Sequence, residues 1–297
     1  LIAVPLIFES MHKKIWKKAE KSGKAEKMRA ALKMIKAITR FGTLDKKLAG
    51  KTKKLFKEVH EGFGGKLSLL IAGAAPIDPG VISDFNAMGF TMVQGYGMTE
   101  CAPIIALNPT YANKPAAAGL PLPGTEVYID QPDESGVGEI VCRSQSVMLG
   151  YYMDPEETAK VLSDDGWLKT GDYGYMDAAG YVYITGRKKN VIVTKNGKNI
   201  FPEEVEFYLG RSPYILETVV SGRPSDDGTD LVVTAEIFPD YDEAQKKAAE
   251  EGISLEQLIR NEVEKANDAM PAYKRVRSIV LRESEFEKTT TKKIKRW

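Results

Sequence analysis

Between Leu67 and Val93 the chain reads as strand, loop, helix and strand, and this alternation constrains the fold more than any other feature. Leu67-Ser68-Leu69-Leu70-Ile71 is an apolar run of strand length, and Gly73 opens a loop. Asp78 followed by Pro79 reads as an N-cap with proline at the first helical position. The helix is expected to end at Gly89, before a second apolar run, Phe90-Thr91-Met92-Val93. A crossover of this kind returns its second strand parallel to the first, so a parallel sheet follows. Such sheets bind ligands beyond the carboxyl ends of their strands.

Gln94-Gly95-Tyr96-Gly97-Met98-Thr99-Glu100 stands at that place and reads as a nucleotide-binding turn. Gly95 and Gly97 permit backbone conformations and close approaches that a β-carbon would block, so Tyr96 can lie against a planar ligand. Thr99 offers a hydroxyl to a phosphate oxygen, and Glu100 offers hard oxygens to Mg²⁺. The stretch also reads as a tight strand-to-loop turn with a solvated acid, and by itself it does not choose between the two.

With 297 residues, 43% of them hydrophobic, the chain is long enough for about two globular domains. Its two cysteines, Cys101 and Cys142, give no disulfide framework, which fits a reducing compartment, the cytoplasm by default. The apolar opening from Leu1 to Phe8 is broken by Pro5 and follows no charged segment, so no secretory signal is expected. It is also far short of the roughly 20 residues that cross a bilayer. Because the chain starts at Leu and in mid-pattern, it is expected to be a fragment.

The net charge of +1 hides an asymmetry: residues 11–60 hold 17 Lys and Arg against 4 Asp and Glu. Such a block could meet anionic lipid, nucleic acid or the phosphates of a cofactor. Ile15, Ala19, Met28, Leu32, Ile35 and Thr39 recur at helical spacing beneath the lysines, which favours a solvated helical face. Without aromatic residues interleaved for base stacking, no nucleic-acid partner is expected.

Residues 1–60 read as two or three lysine-rich helices punctuated by Gly23, Gly42 and Gly50, with the α/β stretch at 61–119. From 120 to 186 the texture turns to short β runs, Glu126 to Ile129 and Gly138 to Cys142, then a helix capped by Asp154-Pro155-Glu156. Trp167-Leu168-Lys169 leads into a Gly171-Asp172 turn, and a hairpin is expected around Asp177-Ala178-Ala179-Gly180. Residues 187–297 suggest an α+β domain: strand 190–194, an Asn196-Gly197 turn, helix 202–209, strand 231–238, helix 254–268 and strand 276–281.

Six stretches, in order, resemble the signatures of the adenylate-forming superfamily of acyl-CoA synthetases, luciferases and peptide-synthetase adenylation domains. They are Gly73-Ala74-Ala75-Pro76-Ile77, the 94–100 motif, Lys169-Thr170-Gly171-Asp172, Gly186-Arg187-Lys188-Lys189, Asn196-Gly197-Lys198-Asn199-Ile200 and Thr289-Thr290-Thr291-Lys292-Lys293-Ile294. Within the superfamily the texture looks most like bacterial long-chain fatty-acid CoA ligases.

The resemblance implies a partial adenylation domain at 1–186, with a parallel βαβ sheet and a small β subdomain, followed by a compact α+β lid domain at 187–297. It implies that fatty acid, ATP, Mg²⁺ and CoA meet here, acyl-AMP forming first and CoA then taking the acyl group. Loading of an acyl or aminoacyl group onto a carrier protein stays open, as does a non-catalytic nucleotide-binding remnant. Gly73, Ala74, Ala75, Pro76, Gln94, Gly95, Tyr96, Gly97, Met98, Asp172 and Arg187 would bind the nucleotide, with Asp172 and Arg187 on the ribose. Thr99 and Glu100 would serve phosphate and metal, and Lys189 would be the hinge. Gly197, Lys198 and Asn199 would line the path of CoA, and Lys293 would be the catalytic lysine. Lys292 stands where glycine is usual, so the two lysines compete for that role. The family's phosphate loop does not occur in residues 1–297, so this length is expected to be inactive alone. The basic block would suit a peripheral position at an anionic membrane.

Overall fold

The computed structural model describes residues 1–39, 46–225, 228, 230–289 and 294–296. The chain divides into two units, Leu1–Ile184 and Thr185–Trp297. In the first, strands β1 (Ile2–Ala3), β2 (Leu69–Ala72), β3 (Thr91–Gly97), β4 (Ile104–Leu107) and β5 (Leu120–Pro121) form one sheet in that order. β1, β2 and β3 are mutually parallel, with Leu69 opposite Thr91 and Ala72 opposite Gln94, whereas β4 and β5 join antiparallel. The expected crossover is therefore present, on one side of a mixed sheet.

Four helices, α1 (Pro5–Lys21), α2 (Ala25–Ile38), α3 (Lys46–Leu55) and α4 (Lys57–Gly62), precede β2, and α5 (Pro79–Ala87) connects β2 to β3. Asp78 caps α5 by accepting from the Gly80 amide at 2.6 Å. Gly23, at φ 67°, ends α1 as expected. Gly50 does not punctuate: it lies inside α3, because one helical glycine costs only about 1 kcal/mol against its neighbours' propensity. Gly42 lies outside the described residues. The apolar stripe beneath the lysines is real, since Ala19, Leu32 and Ile35 are buried. Leu32 and Ile35 join Phe8, Leu70, Ile82, Phe85, Met88 and Met92 in the core between helices and sheet, with Ile15 and Met28 packed against it.

A buried carboxylate pins these helices together. Asp84 of α5 takes His12 Nε2 of α1 at 2.6 Å and Lys36 Nζ of α2 on its other oxygen. Burial raises the Asp84 pKa, but the bond from His12 and the charge of Lys36 outweigh it and hold the carboxyl below its ordinary value. That stabilisation is present above the unfolded value of 3.8 and is lost as pH falls through the lower folded one. Asp84→Ala is expected to lower first-unit stability by about 3 kcal/mol at pH 7, and by less near pH 3. Urea unfolding at the two pH values measures this; equal losses would refute it.

A second sheet orders β6 (Glu126–Asp130), β7 (Gly138–Arg143), β8 (Leu168–Met176) and β9 (Val182–Arg187), the last three residues of β9 being counted in the second unit, with α6 (Pro155–Val161) between β7 and β8 in sequence. Asp177 and Gly180 close the expected turn between β8 and β9.

The second unit holds the short antiparallel pair β10 (Ile192–Val193) and β11 (Asn199–Ile200), then helix α7 (Pro202–Leu209). Its main sheet orders β12 (Ile215–Pro224), β13 (Leu231–Pro239) and β14 (Ser278–Leu281), antiparallel then parallel. Helices α8 (Tyr241–Glu251) and α9 (Leu255–Asp268) lie between β13 and β14 in sequence. Val205, Leu209, Val220, Ile237, Ile259 and Val263 form its core. Among the described residues no helix is long and apolar enough to cross a membrane.

Candidate functional site

The 94–97 segment is strand rather than turn. β3 continues through it, pairing Gly95 with Leu107, Tyr96 with Ala106 and Gly97 with Ile104. The partner that extends it, β4, follows the motif and is invisible in the motif itself. Neither Gly95 nor Gly97 has a positive φ, so close approach alone demands them. A Cβ on Gly97 would lie 1.9 Å from the Pro103 carbonyl oxygen, and one on Gly95 would lie 3.0 Å from Leu107 Cδ1. The chain leaves the sheet at Met98, and Thr99–Cys101 forms a single 3₁₀ turn.

Gln94 braces its surroundings: its Nε2 donates to the Pro115 carbonyl at 2.9 Å and the Ala117 carbonyl at 2.7 Å. The loop after β2 starts beside the motif, a Cβ on Gly73 being 3.8 Å from the Gly95 carbonyl oxygen. Ala74, Ala75 and Pro76 are exposed there, and Ala74 is held at φ 72°, where a β-carbon costs roughly 1–2 kcal/mol.

Asp172, expected in a turn after a strand, sits inside β8 on a bulge. Glu139 opposes Tyr173 and Val141 opposes Lys169, so Thr170, Gly171 and Asp172 stand against Ile140 alone. Thr170 Oγ1 donates to the Ile140 carbonyl at 2.7 Å and accepts the Asp172 amide at 3.1 Å. Gly171 takes φ 68° to make the bend. The bulge aims Asp172 inward, where Tyr96 Oη donates to its Oδ2 at 2.7 Å. This bond joins β3 of one sheet to β8 of the other, with Tyr96 8% and Asp172 5% exposed. Burial first, and then the charge of Asp172, push the Tyr96 phenol far above its usual pKa, so it remains a donor.

Glu100 is held by the segment after β7. Its backbone carbonyl accepts the Met148 amide at 2.7 Å and its Oε1 accepts Tyr151 Oη at 3.0 Å. Partial burial, with the Glu100 bond second, raises the Tyr151 pKa. Tyr151 escaped sequence reasoning because nothing near position 151 marks a partner 51 residues upstream. Thr99 is exposed beside it. No group of three or more His, Cys, Asp or Glu converges on a metal position among the described residues. One carboxylate suffices for Mg²⁺ that keeps its waters and arrives on nucleotide phosphates, so Glu100 fits that ion.

The first unit thus gathers Gly73–Pro76, Gln94–Glu100 and Asp172. The remaining candidates belong to the second. Arg187 ends β9, and Lys189 lies in the 3₁₀ turn Lys188–Asn190; both are exposed. Gly197, at φ 72°, and Lys198 form the exposed tip between β10 and β11, and Asn199 opens β11. Lys292 and Lys293 lie outside the described residues. On either side of them, Lys288 and Ile294 form an antiparallel bridge and the Lys295 amide donates to the Glu287 carbonyl at 2.8 Å. Arg296 then reaches Glu206 and Glu203 of α7 and the Val220 carbonyl of β12. Glu206 Oε1 accepts the Val220 amide at 2.7 Å. Burial raises the Glu206 pKa to about 7, against the lowering effect of Arg296.

Known proteins resemble this chain in sequence and fold. Residues 2–152 match the model of the AMP-binding enzymes, and residues 189–297 match that of the AMP-binding enzyme C-terminal domain. A long-chain-fatty-acid–CoA ligase of Bacillus subtilis is 41% identical over 162 residues, 52% of this chain and 29% of that protein. One of Mycobacterium bovis is 29% identical over 318 residues, covering all of this chain and 52% of that protein. The crystal structure of ATP-bound MatB from Rhodopseudomonas palustris superposes with a TM-score of 0.60 at 27% identity, over 75% of this chain and 43% of that one. The chain spans about half or less of the length of these proteins. With one family model spanning the β1–β5 sheet that carries Tyr96 and the turn that carries Glu100, and another spanning residues 189–297, the chain belongs to the AMP-binding enzymes.

Proposed function

We propose that the protein activates fatty acids with ATP and passes them to CoA. In the first step the fatty-acid carboxylate attacks the α-phosphate, giving acyl-AMP and pyrophosphate; in the second the CoA thiol displaces AMP. The observation that carries this reading is the Tyr96–Asp172 pair, a buried carboxylate fixed by a phenol at the end of β3. A carboxylate so fixed can accept the two hydroxyls of a ribose. Tyr96 orients it, and adenine would stack at the part of the ring that stays accessible. Glu100, steadied by Tyr151, would hold Mg²⁺ brought by the nucleotide, which supplies charge neutralisation as pyrophosphate leaves. Thr99 would donate to the phosphate, and Arg187 would add a guanidinium fork to the ribose. Lys293, on a flexible stem, would meet the forming acyl phosphate, and Gly197 with Lys198 and Asn199 would pass the pantetheine arm. The long-chain-fatty-acid–CoA ligases among the relatives support the choice of acid and acceptor.

Calorimetry with AMP tests the nucleotide assignment on this chain. Asp172→Ala is expected to weaken AMP at least about tenfold, and Tyr96→Phe by a smaller factor, because the carboxylate loses its orienting donor. Equal AMP affinity in the parent and Asp172→Ala would overturn the reading. Thioester formation by the full-length protein with CoA, compared with a carrier protein, tests the acceptor.

A further inference from the structure

We propose that Cys101 and Cys142 are a redox-responsive dithiol that hydrogen peroxide closes to an intramolecular disulfide. Their sulfurs lie 3.6 Å apart, 41 residues apart in sequence, and both side chains are buried. A disulfide needs the sulfurs at about 2.05 Å, an approach of roughly 1.5 Å. Cys142 is fixed in the middle of the sheet, opposite Val127 and Leu168. Cys101 ends a one-turn 3₁₀ helix closed by two backbone bonds of its own, Cys101 N to the Met98 carbonyl and Ala102 N to the Thr99 carbonyl, with the Met148 amide on the Glu100 carbonyl from outside. A single turn yields more readily than a central strand paired on both edges, so the turn is the part that gives. The chain has no other cysteine, so only one intramolecular bridge is possible.

Burial shapes the chemistry. With Cys101 1% and Cys142 0% exposed, bulky disulfides cannot reach either sulfur, whereas hydrogen peroxide is small enough to enter during local opening. Peroxide oxidises one thiol to the sulfenic acid and is itself reduced to water. The second sulfur, already in contact, attacks it, forming the S–S bond and releasing a second water. Two thiols and one peroxide thus give one disulfide and two waters, and the resolving step competes with further oxidation. Closure would pin the turn carrying Thr99 and Glu100 onto β7.

The test exposes the folded chain to peroxide, quenches it, unfolds it, and counts thiols before and after dithiothreitol. The expected count falls from two to none and returns to two with dithiothreitol, with the oxidised chain monomeric on non-reducing gels. The bridged chain is expected to melt about 5 °C higher, because the cross-link restricts the unfolded state. In Cys142→Ala no bridge can form, so oxidation should stop at a dimedone-reactive sulfenic acid on Cys101 or pass on to acids that dithiothreitol does not recover, with no rise in melting temperature. Two thiols persisting under exposure that consumes free glutathione, thiols lost but not recovered by dithiothreitol, or disulfide-linked dimers would each overturn the proposal. If Cys142→Ala does not fold, peptide mapping of the oxidised parent for linked Cys101 and Cys142 decides it.

Discussion

Replacing Gly97 by alanine is expected to lower the stability of the first unit by roughly 3–5 kcal/mol and to abolish AMP binding with it. The new Cβ would stand 1.9 Å from the Pro103 carbonyl oxygen and 2.8 Å from Ile104 Cα, both backbone, so no rotamer change can relieve it. β4 would have to separate from β3, releasing the Met98 amide from the Pro103 carbonyl and freeing the turn that carries Glu100. Gly95→Ala meets the movable Leu107 Cδ1 at 3.0 Å and should cost less. Gly62→Ala, with nothing within 4 Å and no positive φ, should stay within about 0.5 kcal/mol of the parent. Urea denaturation of the three variants gives the order, and a Gly97→Ala protein as stable as Gly62→Ala would contradict the argument.

The second large effect is expected where Arg296 meets α7. A guanidinium stays charged at any accessible pH, and here it faces two carboxylates, Glu203 and Glu206, of which Glu206 is the more deeply buried. Because burial lifts the folded Glu206 pKa from 4.5 to about 7, its protonated form favours the fold. That contribution is whole below the unfolded value and disappears as pH rises through about 7. The second unit should therefore lose roughly 3 kcal/mol between pH 5 and pH 8. Arg296→Met removes the cation that makes the ionised form tolerable, so a further 3–5 kcal/mol should be lost at pH 8 and clearly less at pH 5. Adding Glu206→Gln to Arg296→Met should restore much of the pH 8 loss. Hydrogen exchange of β12 amides reports this unit by itself, and a pH-independent effect of Arg296→Met would be inconsistent with the assignment.

How far the sequence revealed this molecule depended on the range of the interaction. The β2–α5–β3 crossover was legible because Asp78, Pro79 and Gly89 act on their own neighbours. The same holds for α9, opened by Ser254, whose hydroxyl accepts the Gln257 amide. Helix α8 was missed because its buried face consists of Ala244 and Ala248, too small to give an apolar period. β12 was missed because Glu217 and Thr218 break its apolar run, Gly222 and Pro224 follow it, and its pairing with β13 supplies the order. In the site, Tyr96, Glu100 and Asp172 were visible as residue types within motifs. Their geometry was not, since strand 94–97, the bulge at Asp172 and the Tyr151 bond each depend on a distant partner.

The Tyr96–Asp172 bond also bears on the order in which the chain can fold. Its ends are 76 residues apart, and Asp172 points inward only once β8 has paired with β7 and formed its bulge. Local events such as α5 or the β6–β7 hairpin can precede it, but closing a loop of this length waits for both sheets. During refolding, Tyr96 should gain its protected hydroxyl late, together with the β8 amides, and nucleotide-binding capacity should appear in that same final phase.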